Sequence, residues 1–240
     1  MSQVAVVTGA SSGIGEAIAR ALAARGTTCV LLARREERLR ALAEELGGEF
    51  EVCDVGDRAA VEGVAARVLA RHPRVDVLVN NAGIAARTDF VGGDPERIEA
   101  VLRVNYLGGV WCLNAFLPGL GRGSHVVNVV SVAGTVAGGP YSASKHAQLA
   151  FSRSTARELR PRGISVHTVN PGFVETEGFP QRGRFHGLAG RLVAEPALVA
   201  ERVLGAIDHD RAEIYVPRWY RPAAWAQTLA PGLIARLNPK

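Results

Sequence analysis

Tyr141 and Lys145 stand four residues apart in the run Tyr-Ser-Ala-Ser-Lys, a spacing that puts a phenol and an ammonium on one face of a helix. A tyrosine alone titrates at about 10. An adjacent ammonium favours the phenolate and brings the phenol toward the range where it exchanges protons at neutral pH. The choice of lysine is informative, because of 28 basic residues only Lys145 and Lys240 are lysine. Elsewhere the chain uses arginine, whose guanidinium has a different shape and donor arrangement. The pair therefore reads as proton-transfer chemistry rather than surface charge.

A second group suits phosphate. Thr8 to Gly15 reads TGASSGIG, with glycines that let the backbone turn sharply and present N–H groups at a helix N-terminus, the geometry that receives a pyrophosphate. Glycines also serve ordinary turns, so the position of this one between strand and helix carries the reading. Asp54 is placed to accept from an adenine amino group or, equally, to serve as a helix N-cap or turn residue. In Asn80-Asn81-Ala82-Gly83 small residues permit close approach, and the amides suit a structural tie between loops.

These groups need a frame, and the hydrophobic periodicity supplies one by alternating β-branched runs with stretches of helical spacing. Strands are expected at 4–8, 28–33, 49–53, 75–80, 125–131, 165–170 and 213–216, with helices at 13–25, 36–46, 58–71, 95–117, 141–159 and 196–207. This is the pattern of an α/β fold, a doubly wound parallel sheet flanked by helices in three layers. A chain of 240 residues buries enough surface as one domain to need no metal or disulfide. The expected domain spans 1–216, with a substrate loop at about 173–195 and a C-terminal tail at 217–240. Cys29, Cys53 and Cys112 are odd in number, lack CxxC spacing and sit among apolar neighbours, so they are read as reduced and buried. No basic leader precedes the first apolar run, and no uncharged apolar stretch reaches the ~18 residues of a spanning helix. The expectation is a soluble, cytoplasmic protein.

With the motifs in place on their elements, TGxxxGxG at Thr8, NNAG at Asn80, a serine after the fifth strand, YxASK at Tyr141 and Pro171-Gly172 resemble the short-chain dehydrogenases/reductases over about residues 3–216. The resemblance implies a Rossmann-type fold that binds NAD(H) or NADP(H). It implies Tyr141 as acid/base, Lys145 holding the nicotinamide ribose and tuning the tyrosine, Ser131 bonding the substrate oxygen, and Asn105 supporting a relay water through the main chain. The cofactor would lie along Gly9, Ser11, Ser12, Gly13, Ile14 and Gly15, then Asp54 and Val55, then Asn81, Ala82 and Gly83. Asn170, Pro171, Gly172 and Val174 would border the nicotinamide, with Thr176 near its carboxamide or the phosphates. It further implies a homodimer or homotetramer paired through the helices around Asn105 and Tyr141. One departure stands out: Ser131 and Tyr141 are ten positions apart, about three fewer than is common in the family. The short segment should reshape one wall of the substrate pocket, and it makes Ser142 and Ser144 alternatives to Ser131.

Cofactor choice is read after the second strand, where a carboxylate would bond the ribose hydroxyl of NAD. Here the strand ends Leu32-Ala33-Arg34-Arg35. Arg34 offers a guanidinium to a 2′-phosphate, with Ser11 nearby and Arg35 as a further contributor. NADP(H) is therefore preferred, with NAD(H) the alternative. Phe179, Phe185 and Leu188 make the substrate loop apolar. Arg182, Arg184 and Arg191 are balanced by Glu175, Glu177 and Glu195, and Arg153, Arg157 and Arg160 suit a helix C-terminus. A reductase of carrier-bound 3-oxoacyl groups and a non-catalytic dinucleotide sensor are the competing readings, the complete Tyr141/Lys145 pair opposing the sensor. The net charge of +5 and pI of about 9.6 invite a nucleic-acid partner, but no motif supports one. Four of those five charges fall in residues 211–240. With Trp219, Tyr220, Trp225, Leu229, Leu233, Ile234 and Leu237, this basic, aromatic tail is expected to pack on the fold or a sister subunit. A lid and an interfacial membrane anchor are its other readings.

Overall fold

A computed structural model describes residues 3–136, 138–181, 193–222 and 224. Its seven strands are β1 (Val4–Thr8), β2 (Thr28–Ala33), β3 (Glu49–Val52), β4 (Val77–Asn80), β5 (His125–Val129), β6 (Ser165–Pro171) and β7 (Glu213–Val216). They form one sheet in the order β3-β2-β1-β4-β5-β6-β7, every neighbouring pair parallel. The helices are α1 (Gly13–Ala23), α2 (Glu36–Leu46), α3 (Arg58–Arg71), α4 (Pro95–Leu102), α5 (Gly108–Phe116), α6 (Gly139–Leu159) and α7 (Pro196–Asp208).

Side chains alternate across each strand, and this splits the core in two. Ala5, Val7, Cys29, Leu31, Val77, Val79, Val127 and Val129 face α1, α2 and α7. Val4, Val6, Val30, Leu32, Leu78 and Val126 face α3, α5 and α6. With both faces covered, the strands need apolar residues at consecutive positions, which is why they read as continuous Val/Leu runs. Strand order reverses between β1 and β4, and the crevice at the carboxyl ends of those strands is where such sheets bind ligands.

Several boundaries depart from the periodicity. The expected strand at 75–80 starts at Val77, because Val75 N–H is taken by Gly119 O and the Asp76 carboxylate accepts from Val4 N (2.9 Å). β3 and β5 stop short of the expected 53 and 131, whereas β6 runs one residue further, and α1 ends at Ala23 rather than 25. α6 begins two residues before Tyr141. The single helix expected at 95–117 is divided by a wide π-helical turn, Arg103–Leu107. By length and hydropathy the run Pro95–Gly119 would suffice to cross a membrane, yet its Cys112, Leu113 and Phe116 are buried against the sheet. The three cysteines are free and buried, and burial raises their thiols, Cys29 and Cys53 to about 11.

The start of the tail packs on the fold. Tyr220 and Ala224 form a small cluster with Tyr215, against Val132, and half-exposed Trp219 stacks on Tyr220 with ring centroids 3.7 Å apart. Arg153 forms a two-pronged ion pair with Glu213. Arg182, Arg184, Phe185, Leu188 and Arg191 lie outside the described residues, as do Trp225, Leu229, Leu233, Ile234, Arg236, Leu237 and Lys240.

Candidate active site

The carboxyl ends of the strands open into a cleft of about 1680 Å³. Its phosphate end is made by the turn after β1, where Gly9 and Gly13 have φ of 66° and 61°, the left-handed region that favours glycine. Gly9 has a second reason to be glycine: a Cβ there would lie 2.8 Å from Ala82 Cα. A tie between β1 and β4 holds this approach. Thr8 Oγ1 donates to Val79 O (3.0 Å) and accepts from Asn81 N (3.0 Å) and Ala82 N (3.1 Å). Asn81 Nδ2 donates to Thr8 O (3.0 Å) and Gly9 O (3.3 Å). The structural role expected of these amides is therefore present, and Asn81 also lines the cleft. Asn80, one residue earlier, donates to Asn128 Oδ1 (2.9 Å) and belongs to a buried chain that continues through Ser152 to Thr168.

Most of the expected cofactor residues come together here: Gly9, Ser11, Ser12, Gly13 and Ile14, Arg34, Asp54 and Val55, Asn81, Ala82 and Gly83, and Pro171, Gly172, Val174 and Thr176 all line the cleft. Gly15 does not. It is buried, where a Cβ would lie 2.4 Å from both Gly9 O and Asn81 Nδ2, so it permits the close packing of α1 rather than ligand approach. Asp54 fulfils the turn reading by accepting from Gly56 N (2.9 Å) while remaining on the cleft wall.

The two arginines after β2 divide. Arg34 turns toward Asp54, its nitrogen 3.7 Å from the carboxylate. Arg35 crosses onto the glycine turn, donating to Ser11 Oγ (3.1 and 3.0 Å), Ser11 O (3.2 Å) and Ser12 Oγ (2.6 Å). The residue placed as the lesser contributor is thus the one seated over Ser11. Residue type alone could not separate adjacent arginines; the capping position of Arg35 ahead of α2 aims its side chain back along the crevice.

At the other end, Tyr141 and Lys145 project from α6 as their spacing predicts, with Lys145 Nζ 5.8 Å from the tyrosine ring centroid. Lys145 is buried, donating to Val129 O (3.1 Å) and Gln148 Oε1 (2.7 Å), and burial lowers its ammonium to about 7. Ser131 Oγ accepts from Ala133 N (3.1 Å) and donates to Pro171 O (3.5 Å), and its hydroxyl is close enough to the Tyr141 phenol to favour the phenolate. The short segment between them turns through Val132–Thr135 and enters α6 at Gly139, with φ of 72°, which brings Ser131 to the phenol despite the missing residues. Ser142 and Ser144 are otherwise engaged, on Ala133 O (2.5 Å) and Tyr141 O (2.7 Å) respectively.

One electrostatic expectation is corrected. Burial pushes the Tyr141 phenol up to about 12, and the nearby Ser131 hydroxyl opposes this only in part. Lys145 does not bring it toward neutrality, because the ammonium is itself desolvated and loses its proton more readily than an exposed lysine.

Asn105 lies in the π-helical turn, buried and off the cleft lining. Its Oδ1 accepts from Ile84 N (2.7 Å), and its Nδ2 donates to Ile84 O (3.0 Å) and Ser144 Oγ (3.0 Å). Its amide clamps the segment after Gly83 to α6, directly beneath Lys145. Two residues gain a role that the motifs do not reveal: Gln148 as the partner of Lys145, and Tyr220, expected only as part of the packed tail, as a wall of the cleft. Gln148 sits one helical step from Lys145, a spacing that could have suggested it. Tyr220 packs on Gly172, where a Cβ would lie 1.9 Å from its ring, a contact between distant parts of the chain that no local pattern signals. Phe179 closes over the phenol, ring centroids 5.3 Å apart.

A doubly wound parallel sheet with a glycine cradle at its switch point and a Ser-Tyr-Lys cluster beside it defines a Rossmann-type dinucleotide-binding class. The comparisons agree, and the chain belongs to the short chain dehydrogenase family, whose family model matches residues 3–185. It is 33% identical to dehydrogenase/reductase SDR family member 7B of Bos taurus over 98% of this chain and 79% of that protein. Among solved structures, an alcohol dehydrogenase from Thermococcus sibiricus complexed with 5-hydroxy-NADP matches with a TM-score of 0.79 and 31% identity, over 90% of this chain and 96% of the other. A short chain dehydrogenase/reductase from Burkholderia phymatum in complex with NAD matches with a TM-score of 0.85 and 26% identity, over 100% and 96%.

Proposed function

We propose that this protein is an NADP(H)-dependent oxidoreductase that interconverts a carbonyl and a secondary alcohol on an apolar substrate. The observation that carries the proposal is the Ser131-Tyr141-Lys145 cluster at one end of a cleft whose other end is a glycine cradle. The fit to a dinucleotide is supported by the left-handed glycine turn at Gly9 and Gly13 and by the N-terminus of α1 opening onto the cleft. Gly9, Ser11, Ser12, Gly13 and Ile14 would hold the pyrophosphate. Arg35, with Arg34 beside it, would receive the 2′-phosphate, Asp54 and Val55 the adenine, and Lys145 and Gly172 the nicotinamide riboside. When bound, the nicotinamide supplies or accepts the hydride.

The chain's own part is to hold and move a proton. With its pKa at about 12, Tyr141 carries its proton at neutral pH and is the acid that gives it to the carbonyl oxygen. Ser131 donates a hydrogen bond to the same oxygen and stabilises the charge developing there. Lys145, held beside the phenol by Val129 O and Gln148, would hold the nicotinamide ribose, and Asn105 braces the helix that carries it through Ser144. Phe173, Phe179, Tyr220, Val132 and Pro140 line the substrate end, which supports an apolar substrate. Homodimers or homotetramers through the outer faces of α4, α5 and α6 belong to the same proposal.

Absorbance at the reduced nicotinamide band, followed with NADPH and a panel of ketones and aldehydes, tests the reaction. The expected result is turnover by the unaltered protein and none by Tyr141→Phe, which still binds dinucleotide. Near-normal turnover by Tyr141→Phe overturns the acid/base assignment, and tighter binding of NAD(H) than NADP(H) overturns the cofactor.

A further inference from the structure

Glu177 lies three residues beyond Val174, on the turn that follows β6, yet its carboxylate reaches across the cleft to α2. Its Oε2 accepts from Arg35 Nη1 (2.9 Å) and Arg38 Nη1 (2.5 Å), and its Oε1 accepts from Arg38 Nη2 (3.2 Å). The other edge of Arg35 is the one bonded to Ser11 and Ser12. Arg35 therefore bridges one carboxylate and the two hydroxyls of the glycine turn. The turn that delivers it is well held. Thr176 packs on Gly13, its Cγ2 3.0 Å from where a Cβ would stand, Phe179 N donates to Thr176 O (3.1 Å), and Phe179 rests on Tyr141. The two guanidinium groups hold the Glu177 carboxyl below the usual carboxylate range, so it is an anion at every pH at which the protein would work.

We propose that Glu177 is an internal anion that occupies the 2′-phosphate subsite and competes with the cofactor phosphate for Arg35 and Arg38, which makes it a determinant of NADP(H) against NAD(H) selectivity. The inference rests on the NADP(H) reading above. Two guanidinium groups facing one carboxylate retain an uncompensated positive charge, whereas a phosphate dianion matches both and offers more acceptor oxygens. Exchange therefore favours the phosphate, at the cost of breaking the Glu177 pairs. Those pairs are about half exposed, so the cost is a few-fold in affinity rather than orders of magnitude. A dinucleotide without the phosphate leaves Glu177 in place. Selectivity is accordingly set by the difference between two anions, not by the arginines alone.

The test is calorimetric titration of the full chain with 2′,5′-ADP and with 5′-AMP, unreactive probes that differ by the phosphate. The expected result is that the unaltered protein prefers 2′,5′-ADP, that Glu177→Gln binds 2′,5′-ADP about three- to ten-fold more tightly while 5′-AMP changes less than about two-fold, and that Glu177→Asp stays nearer the unaltered protein. Raising the salt should narrow the gap between Glu177→Gln and the unaltered protein, since the competition is between charges near the surface. Preference for 2′,5′-ADP with no tightening, or a weakening, in Glu177→Gln overturns the inference and leaves the cofactor reading standing. Preference of the unaltered protein for 5′-AMP overturns both.

Discussion

Lys145 is held in a place that costs stability, and the cost has a pH signature. An ordinary lysine titrates at 10.5, whereas burial brings this one to about 7. Between those values the unfolded chain binds a proton that the folded chain has released, so stability rises with pH across that window. The slope is about 1.4 kcal/mol per pH unit and the full span is about 5 kcal/mol, lost progressively as the pH falls from 10.5 toward 7. Lys145→Met removes this dependence. It also leaves Val129 O and Gln148 Oε1 without their donor, which costs about 1–3 kcal/mol each, but that penalty does not vary with pH. Urea unfolding of both proteins at pH 7.5, 8.5 and 9.5, at one protein concentration, isolates the lysine because the other titrating groups are common to both. The unaltered protein should gain about 3 kcal/mol relative to Lys145→Met from pH 7.5 to 9.5. A difference in unfolding free energy that stays constant across this range would refute the reasoning, since it would mean that the ammonium keeps its charge in the fold.

Two further predictions follow from packing and from a second titrating pair. Gly172→Ala places a methyl group inside the Tyr220 ring and should cost about 1–3 kcal/mol. It should also shift tryptophan emission, because Trp219 is stacked on that ring; an unchanged spectrum and Tm would show that the tail does not seat as described. His125 and His167 stack at the opposite end of the sheet with ring nitrogens 2.9 Å apart, and His167 donates through Nδ1 to Arg211 O. Burial lowers both below the usual 6.5. Their contribution is present above pH 6.5 and is lost as the pH falls through the lowered values, so Tm should decline more steeply from pH 7 to 5 in the unaltered protein than in His125→Gln. Parallel declines would rule the pair out as a contributor.

What could be read in advance was whatever depends on local periodicity or on one turn of helix. The strands announce themselves by Val/Leu runs, the cradle by its glycines, and Tyr141 with Lys145 by a spacing of four. What escaped depends on pairs far apart in the chain. Nothing near residue 35 or residue 177 reveals that Arg35 meets Glu177, and a hydrophobic pattern does not register the π-helical turn around Asn105, because the register slips without losing its apolar face. The Tyr141 phenol went the other way from expectation for a related reason: its neighbours in sequence include a cation, but its environment in space is mostly dry.

The tie between Thr8 and Asn81 carries a consequence for the order in which the molecule forms. β1 and β2 are joined by one short helix and can pair early, whereas the amide that braces Gly9 arrives 73 residues after Thr8. Closing that loop is an entropic cost met only when β4 docks, late for a contact so near the N-terminus. Until then the glycine turn has no fixed wall opposite it and no defined seat for a phosphate. A dinucleotide can therefore add stability only to a chain that has already brought β4 beside β1. It acts as a latch on a finished sheet rather than a nucleus for an unfinished one.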